Sequence, residues 1–317
     1  MFATLNNKPH TLHMDLSQAG ILGPLPAVGR YVFFRIAGDA LALKQSLLSL
    51  QARVDGQQVV AGLGSQLLEA LGKQIPGLHE FPAFKATGEA AAPSTPSALC
   101  LWLRGAERGD LLVLTRELAD ALAPGLVLEQ IVDGFRHGRG PNGFGRDLTG
   151  YEDGTENPVE QDAYAAAIAS GQGPGLDGSS YWALQQWEHD FTAFHAMSAL
   201  ARDHAIGRQL SDNEELEDAP ETAHVKRTAQ EDFKPEAFLM RRSMPWWSPS
   251  PEGSDRCGLM FSAFGCSFYA FEAQMRRMLG LDDGLVDALF DFSRALTGSY
   301  FWCPPMHEGR LDLSLLD

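Results

Sequence analysis

The sequence predicts an α+β fold, antiparallel sheet carrying helices. Strand-like and helix-like stretches alternate as far as residue 134, and the same kinds of element return after residue 180. No short-period repeat runs through the chain, so a solenoid or propeller is unsupported.

Residues 30–36 (R-Y-V-F-F-R-I) read as a strand from their β-branched and aromatic content. Residues 39–54 read as a helix, with Leu43, Leu47, Leu50 and Val54 at helical spacing. A strand at 57–63 and a short helical turn at 65–71 follow. Residues 80–97, rich in Ala, Pro and Gly, read as an extended surface connection. Then come a strand at 98–103, a helix at 108–122 and a strand at 126–134. Two β-α-β units joined by a linker fit helices on one face of an antiparallel sheet.

The second half restarts with an alanine-rich helix at 161–170, a strand at 180–188 and a helix at 191–206. Residues 211–223 are an acidic run of the kind that forms a solvated face. Strands are expected at 237–241 and 258–264, with Pro245 as a break, and helices at 267–279 and 283–296. Two halves of similar make-up facing each other leave a cleft, a frequent place for a cofactor.

Composition narrows the class of protein. With 44% hydrophobic and 21% charged residues, the 317-residue chain is globular and long enough for one large or two ordinary domains. Acidic residues outnumber basic ones, 41 to 25, for a net charge of −16. That argues against nucleic acid or an anionic membrane as partner, since both are bound mainly through Lys and Arg. Cys100, Cys257, Cys266 and Cys303 form no C-x-x-C pair, so a zinc ribbon and covalently attached haem are unsupported, and reduced core thiols are expected. The first residues lack a basic stretch followed by an apolar core, and no apolar run reaches the ~18 residues of a membrane helix. A cytoplasmic location is the expectation.

Residues 143–158, G-F-G-R-D-L-T-G-Y-E-D-G-T-E-N-P, break the alternation of strands and helices. Glycine at this density lets the backbone take left-handed angles and lets a flat partner approach the main chain. Its carboxylates, Glu152, Asp153 and Glu156, either face water as a solvated turn or aim at something. Downstream lie an isolated His224 in E-T-A-H-V-K-R-T and the pair Arg241 and Arg242 in F-L-M-R-R-S-M-P-W-W. None of the nine histidines forms an H-x-x-x-H or H-E-x-x-H zinc pattern, but a single histidine suffices as the axial ligand of haem iron. The stretch G-L-M-F-S-A-F, residues 258–264 with Leu259 and Phe261, reads equally as plain core or as the apolar wall of a porphyrin site.

Taken together, G-Y-E-D-G-T-E-N-P, A-H-V-K-R-T, F-L-M-R-R-S-M-P, G-L-M-F-S-A-F and L-T-G-S-Y-F-W-C-P occur in the order and spacing of the dye-decolourising peroxidases. From about residue 20 to 305 the chain resembles the bacterial group of that family without a signal sequence. The resemblance implies two ferredoxin-like halves of the dimeric α+β barrel type. These are residues 1–155, ending in the G-x-x-D-G loop, and residues 156–317, which hold haem b. It implies Asp153 as distal acid–base, Arg241 as distal arginine and His224 as iron ligand. Ser243 takes a distal position where relatives carry asparagine or glycine; Arg208 is expected near a haem propionate, with Glu156, Leu259 and Phe261 as further cofactor contacts.

The chemistry is consistent with these roles. Cleaving a peroxide unevenly moves a proton from one oxygen to the other, which an ionised carboxylate can do, so Asp153 must be deprotonated at working pH. A nearby guanidinium lowers the carboxyl pKa and stabilises the leaving oxygen. A proximal imidazole is made more electron-donating by a carboxylate on its other nitrogen; Asp287 and Asp291 are candidates, with Asp287 favoured.

The expected activity is reduction of hydrogen peroxide with one-electron oxidation of small aromatic or phenolic donors. A haem-handling protein with incidental peroxidase activity is the alternative, and a carboxylate metal hydrolase on Glu152, Asp153 and Glu156 a weaker one. Trp246, Trp247, Trp302, Tyr151 and Tyr300 lie near the motifs, but tryptophan is usually a packing residue, and the sequence names no electron relay. The family also implies a homo-oligomer and, in some members, cargo of a protein nanocompartment. The terminal G-R-L-D-L-S-L-L-D reads as an ordinary ending rather than a docking tail.

Overall fold

Successive side chains of strand β1 (Val28–Ile36) enter two different cores, so the strand is buried almost throughout. Tyr31 belongs to one cluster, with Trp102, Trp182, Phe264 and Phe301; Val32 and Phe34 belong to the other, with Leu43, Leu47 and Leu50. A strand covered on both faces loses the polar–apolar alternation of a half-exposed one. The chain is seen in a computed structural model that describes residues 16–86, 88–249 and 255–316; His10, His13 and the start of the chain lie outside the described residues.

The first half continues with α1 (Ala40–Gln51), β2 (Val59–Leu63), α2 (Ser65–Ala70), a small hairpin of β3 (Phe84–Lys85) and β4 (Ala91–Ala92), β5 (Leu99–Gly105), α3 (Arg108–Leu122) and β6 (Leu126–Phe135). The second half supplies α4 (Glu160–Ala167), β7 (Ser180–His189), α5 (Phe191–Ala196), α6 (Ala199–Ile206) and α7 (His224–Arg227). After these come β8 (Met240–Arg241), β9 (Met244–Ser248), β10 (Arg256–Gly265), α8 (Tyr269–Met278), β11 (Ser293–Ala295) and β12 (Ser299–Cys303).

Eight strands pair in the order β7-β12-β2-β5-β1-β6-β9-β10, and β10 pairs back onto β7, which closes a barrel of antiparallel strands. The halves join along two thin seams, Leu63 opposite Trp302 and Gly134 opposite Trp246. The barrel interior is filled with aromatic rings, Tyr31 stacked on Trp102 at 6.1 Å and Trp182 on Phe264 at 5.3 Å. It is a packed core, so a ligand must bind outside it. Helix α8 lies against the outer face of β10, and that outer layer holds the space described below.

Several sequence expectations are corrected. The helix expected over 191–206 is two, because Ser198 accepts a bond from Ala201 N–H and caps a second helix. The helix expected over 283–296 does not form. Asp287 caps a short 3₁₀ turn, Ala288–Asp291, after which the chain adds β11 to the edge of β7, with Ser293 opposite His189. The connection over 80–97 contains the β3–β4 hairpin and buries Phe81, Phe84 and Ala92. Only Met240–Arg241 of the strand expected over 237–241 pairs. Pro245 lies inside β9, opposite Leu259, and is tolerated because β9 pairs continuously on one side only. The four cysteines are free, Cys100 and Cys303 buried in the barrel. Among the described residues no helix is long and apolar enough to cross a membrane.

Gly258 stands on β10 where β7 closes the barrel. A Cβ there would lie 2.1 Å from the Trp187 carbonyl oxygen, which is backbone and cannot turn aside. Gly258→Ala is therefore expected to lower stability by about 1–3 kcal/mol, measured by denaturant unfolding of the purified protein.

Candidate functional site

His224 opens the four-residue turn α7, which is too short to hold itself. The turn is fastened by Arg227, a buried guanidinium bonded to both oxygens of Asp283 at 2.7 and 2.8 Å. It is fastened again by Ala288 N–H, which donates to Thr222 O at 2.8 Å. These ties bring His224 Nδ1 to 2.8 Å from Asp287 Oδ2, while Asp287 Oδ1 accepts from Leu289 N–H at 2.8 Å. Asp287 is 1% exposed. The carboxylate takes the proton-bearing Nδ1 and leaves Nε2 with its lone pair, free of any partner among the described residues. The choice between Asp287 and Asp291 is thus decided for Asp287; Asp291 is exposed.

Opposite lies the glycine-rich loop. Gly150 and Gly154 take left-handed backbone angles, φ +96° and +80°, and Asp153 N–H donates to Gly145 O at 2.9 Å. Four residues after Asp153, the Asn157 amide pairs with the backbone of Arg241 in both directions, Arg241 N–H to Oδ1 at 2.7 Å and Nδ2 to Arg241 O at 3.1 Å. Gln230 adds a bond from Nε2 to Glu156 O at 2.7 Å and accepts from Leu239 N–H at 3.0 Å. Loop and strand are clasped by side chains acting as backbone, which fixes Asp153 and Arg241 relative to one another.

Asp153, Arg241 and His224 line one cavity of about 890 Å³, part of it open to solvent, together with Leu259 and Phe261 from β10 and Met275 and Met278 from α8. Burial pushes the Asp153 carboxyl above the ordinary carboxylate range, and the nearby Asp147 adds to the rise. Arg241, the Gly154 N–H and His224 pull it back without cancelling the burial. The guanidinium thus acts in the expected direction, but desolvation is the larger effect.

A second polar chain flanks the cavity. Ser293 Oγ lies 2.6 Å from His189 Nδ1, His189 Nε2 lies 3.2 Å from Asp147 Oδ1, and Thr149 donates to Asp147 Oδ2 at 2.8 Å. Burial raises the Asp147 carboxyl, but the His189 charge and hydrogen bond, with Thr149 and a backbone N–H, hold it below its usual value. Asp147, Gln185, Trp187 and His189 also line the cavity and went unnoticed in the sequence. So did the Asn157 clasp. A signal existed only for α8, whose Phe271, Met275 and Met278 recur at helical spacing.

Other expected residues lie elsewhere. Arg208 binds Glu156 Oε1 at 2.7 Å, Glu215 Oε2 at 3.2 Å and Asn213 O at 3.0 Å, so Arg208 and Glu156 pair with each other and do not line the cavity. Ser243 turns away too; its hydroxyl accepts from Ser262 N–H at 3.4 Å, toward the barrel. Arg242 departs from Arg241, donating to Ile21 O at 3.0 Å and Leu22 O at 2.7 Å. Glu152 accepts from Asn142 and Phe144 N–H, so Glu152, Asp153 and Glu156 go to separate partners and form no shared metal site.

The cavity suits haem on its own features. It offers an imidazole with an uncommitted nitrogen and flat apolar walls. Two buried donors in its lining, Arg241 Nε and Gln185 Nε2, have no partner among the described residues. Buried donors left without acceptors are rare enough to point to a missing polar group.

Comparison with known proteins gives a consistent picture. A family model described as Dyp-type peroxidase, C-terminal, matches residues 145–308. A dye-decolorizing peroxidase of Rhodococcus erythropolis is 30% identical over 310 residues, 93% of this chain and 86% of the relative. A dye-decolorizing protein from V. cholerae superposes with a TM-score of 0.77 at 27% identity, over 94% of this chain and 98% of that one. A DypB variant from Rhodococcus jostii, in complex with heme, gives a TM-score of 0.75 at 26% identity, over 90% of this chain and 94% of that one.

The raised Asp153 carboxyl has a consequence for stability. A carboxyl whose folded pKa exceeds its unfolded value favours folding below the unfolded pKa, and that contribution disappears as pH rises through the folded pKa. Asp153→Asn is therefore expected to raise the Tm of the haem-free protein near neutral pH and to have no such effect in acid. Thermal unfolding at the two pH values measures it, and a gain of the same size at both contradicts the sign.

Proposed function

Because the chain belongs to the dye-decolourising peroxidase family, we propose that the cavity is its haem site and that Asp153, Arg241 and His224 are its working groups. The protein is a haem peroxidase that reduces hydrogen peroxide and oxidises dyes. One observation supports the assignment of roles: a carboxylate, a guanidinium and an imidazole share one cavity, the imidazole backed by a buried aspartate.

His224 holds the iron through Nε2, and Asp287, by accepting from Nδ1, makes the imidazole a stronger electron donor. Leu259, Phe261 and Met275 supply apolar surface for the macrocycle. Bound haem supplies the iron that accepts peroxide and holds the oxidising equivalents until donors return electrons. Asp153 takes the proton from incoming peroxide and returns it to the oxygen that leaves as water, so it must arrive ionised. Arg241 stabilises negative charge on that leaving oxygen and favours ionised Asp153. Arg208 and Glu156 hold the rim of the loop rather than the cofactor, and Ser243 supports β10. Donors give up electrons one at a time, as phenols and aromatic dyes do.

The strand order supports two ferredoxin-like halves divided near residue 155. β2-β5-β1-β6 and β9-β10-β7-β12 each run second, third, first, fourth in their half. Exposed Val127, Leu128 and Ile131 along β6 suit contact with a second copy. Leu311, Leu313 and Leu316 are buried, so these side chains are taken up by the fold rather than offered to a nanocompartment shell.

The purified protein is expected to show a Soret band and to consume peroxide faster than free haem; turnover equal to free haem would make it a carrier. Asp153→Asn and Arg241→Leu are expected to keep the band and slow peroxide consumption about 10²–10³-fold. Resonance Raman of His224→Ala should lack the iron–imidazole stretch, and its persistence moves the ligand elsewhere. Asp153 accepts a proton only when ionised, so kcat/KM for peroxide falls as pH drops through its raised pKa. The acid limb therefore lies above the ordinary carboxylate range, and Asp153→Asn should abolish it.

A further inference from the structure

The wall of the haem cavity is also the wall of a second space. His189 lines both the cavity and a surface cleft between the β3–β4 hairpin, the end of β7 and β11. The cleft spans about 1470 Å³, including open solvent. Trp187 lines the cavity, and its ring centroid lies 5.4 Å from that of Phe290, which lines the cleft. One layer of side chains separates the two.

That layer offers different routes to an electron and to a proton. The electron route is aromatic, Phe290 to Trp187. The proton route is the hydrogen-bonded chain from Ser293, on the cleft side, through His189 to Asp147, on the cavity side. Asp147 is close enough to Asp153 for its charge to act on that carboxyl. The cleft itself has apolar surface from Phe290, Phe292 and Ala295. Its cations, Arg256 and Arg294, are already paired with Glu188 at 2.6 and 2.8 Å, while Glu89, Asp190, Asp255 and Asp291 around it are acidic and exposed, so anions are repelled. Uncharged aromatic molecules fit such lining better than anions.

We propose that this cleft binds small uncharged phenols as electron donors, with the electron leaving through Trp187 and the proton through Ser293, His189 and Asp147. The inference rests on the peroxidase reading, which supplies the oxidant. At each step a phenol O–H bond breaks and a phenoxyl radical departs. Its electron passes by Phe290 and Trp187 to the cavity, where bound haem would supply the acceptor. Its proton goes to Ser293 Oγ as the Ser293 proton passes to neutral His189 at Nδ1 and the Nε2 proton passes to Asp147. Asp147 lines the cavity and releases the proton there, to the oxygen being reduced to water, before the next phenol is oxidised. Two phenols per peroxide bring the two electrons and two protons that complete two waters.

Guaiacol and ferrocyanide separate the routes, because ferrocyanide gives an electron without a proton. In the holoenzyme, Ser293→Ala is expected to lower guaiacol turnover about a hundredfold relative to ferrocyanide turnover. A ratio that stays within about twofold of wild type overturns the proton route. Binding is tested without haem by saturation-transfer NMR of guaiacol with the haem-free protein. The expected result is transfer in wild type and its loss in Ala295→Trp, which fills the cleft, with a raised KM for guaiacol in the holoenzyme. Transfer unchanged by Ala295→Trp places the phenol elsewhere and overturns the site. A wild-type protein that fails to consume peroxide removes the peroxidase reading itself; intact consumption with either negative result removes only the cleft.

Discussion

A carboxylate at the depth of Asp287 persists because both of its oxygens are taken. One accepts from Leu289 N–H and shapes the 3₁₀ turn; the other accepts from His224 and fixes the imidazole. An uncompensated charge in that position would be poorly solvated and costly to bury. Local backbone and candidate iron ligand are therefore one construction, and neither α7 nor the turn after Gly284 would keep its shape alone.

The opposite side of the cavity obeys the same constraint in a looser form. Asp153 and Asp147 are both buried carboxyls, yet their surroundings separate them. His189 and Thr149 hold Asp147 below its usual range, whereas burial raises Asp153 despite Arg241. Neighbouring acids driven in opposite directions suit different tasks, Asp147 giving up a proton more readily and Asp153 holding one more firmly. Rigidity comes from the barrel. β7 and β10 direct alternate residues into an aromatic interior and toward the cavity, so Met260 packs inside while Leu259 and Phe261 face out. The candidate groups Asp153, Arg241 and His224 ride on loops and short turns clamped to that frame by Asn157, Gln230 and Arg227.

Much of this was legible beforehand for definable reasons. Strand β1 and helix α3 announce themselves through local composition and periodicity, and both formed close to their expected bounds. Residues 283–296 misled because an apolar periodic stretch looks helical whether or not an edge strand awaits it; pairing with β7 decided the outcome. Pro245 looked like a break since the side of β9 that lacks a continuous partner cannot be seen from sequence.

At the candidate site the same division holds. Residue types singled out the glycine-rich loop, His224 and the Arg241–Arg242 pair as candidates, and the resemblance to the dye-decolourising peroxidases gave Asp153, His224 and Arg241 their expected roles. The sequence could order Asp287 ahead of Asp291 only slightly, and it could not tell that Arg208 would pair with Glu156 or that Ser243 would turn toward the barrel. Nor did it disclose His189, whose Asp147 and Ser293 partners lie 42 and 104 residues away. Composition and short motifs determine which groups a chain possesses. Which of them meet is decided by strand pairing and by the need to satisfy every buried polar atom, and those are properties of the whole fold.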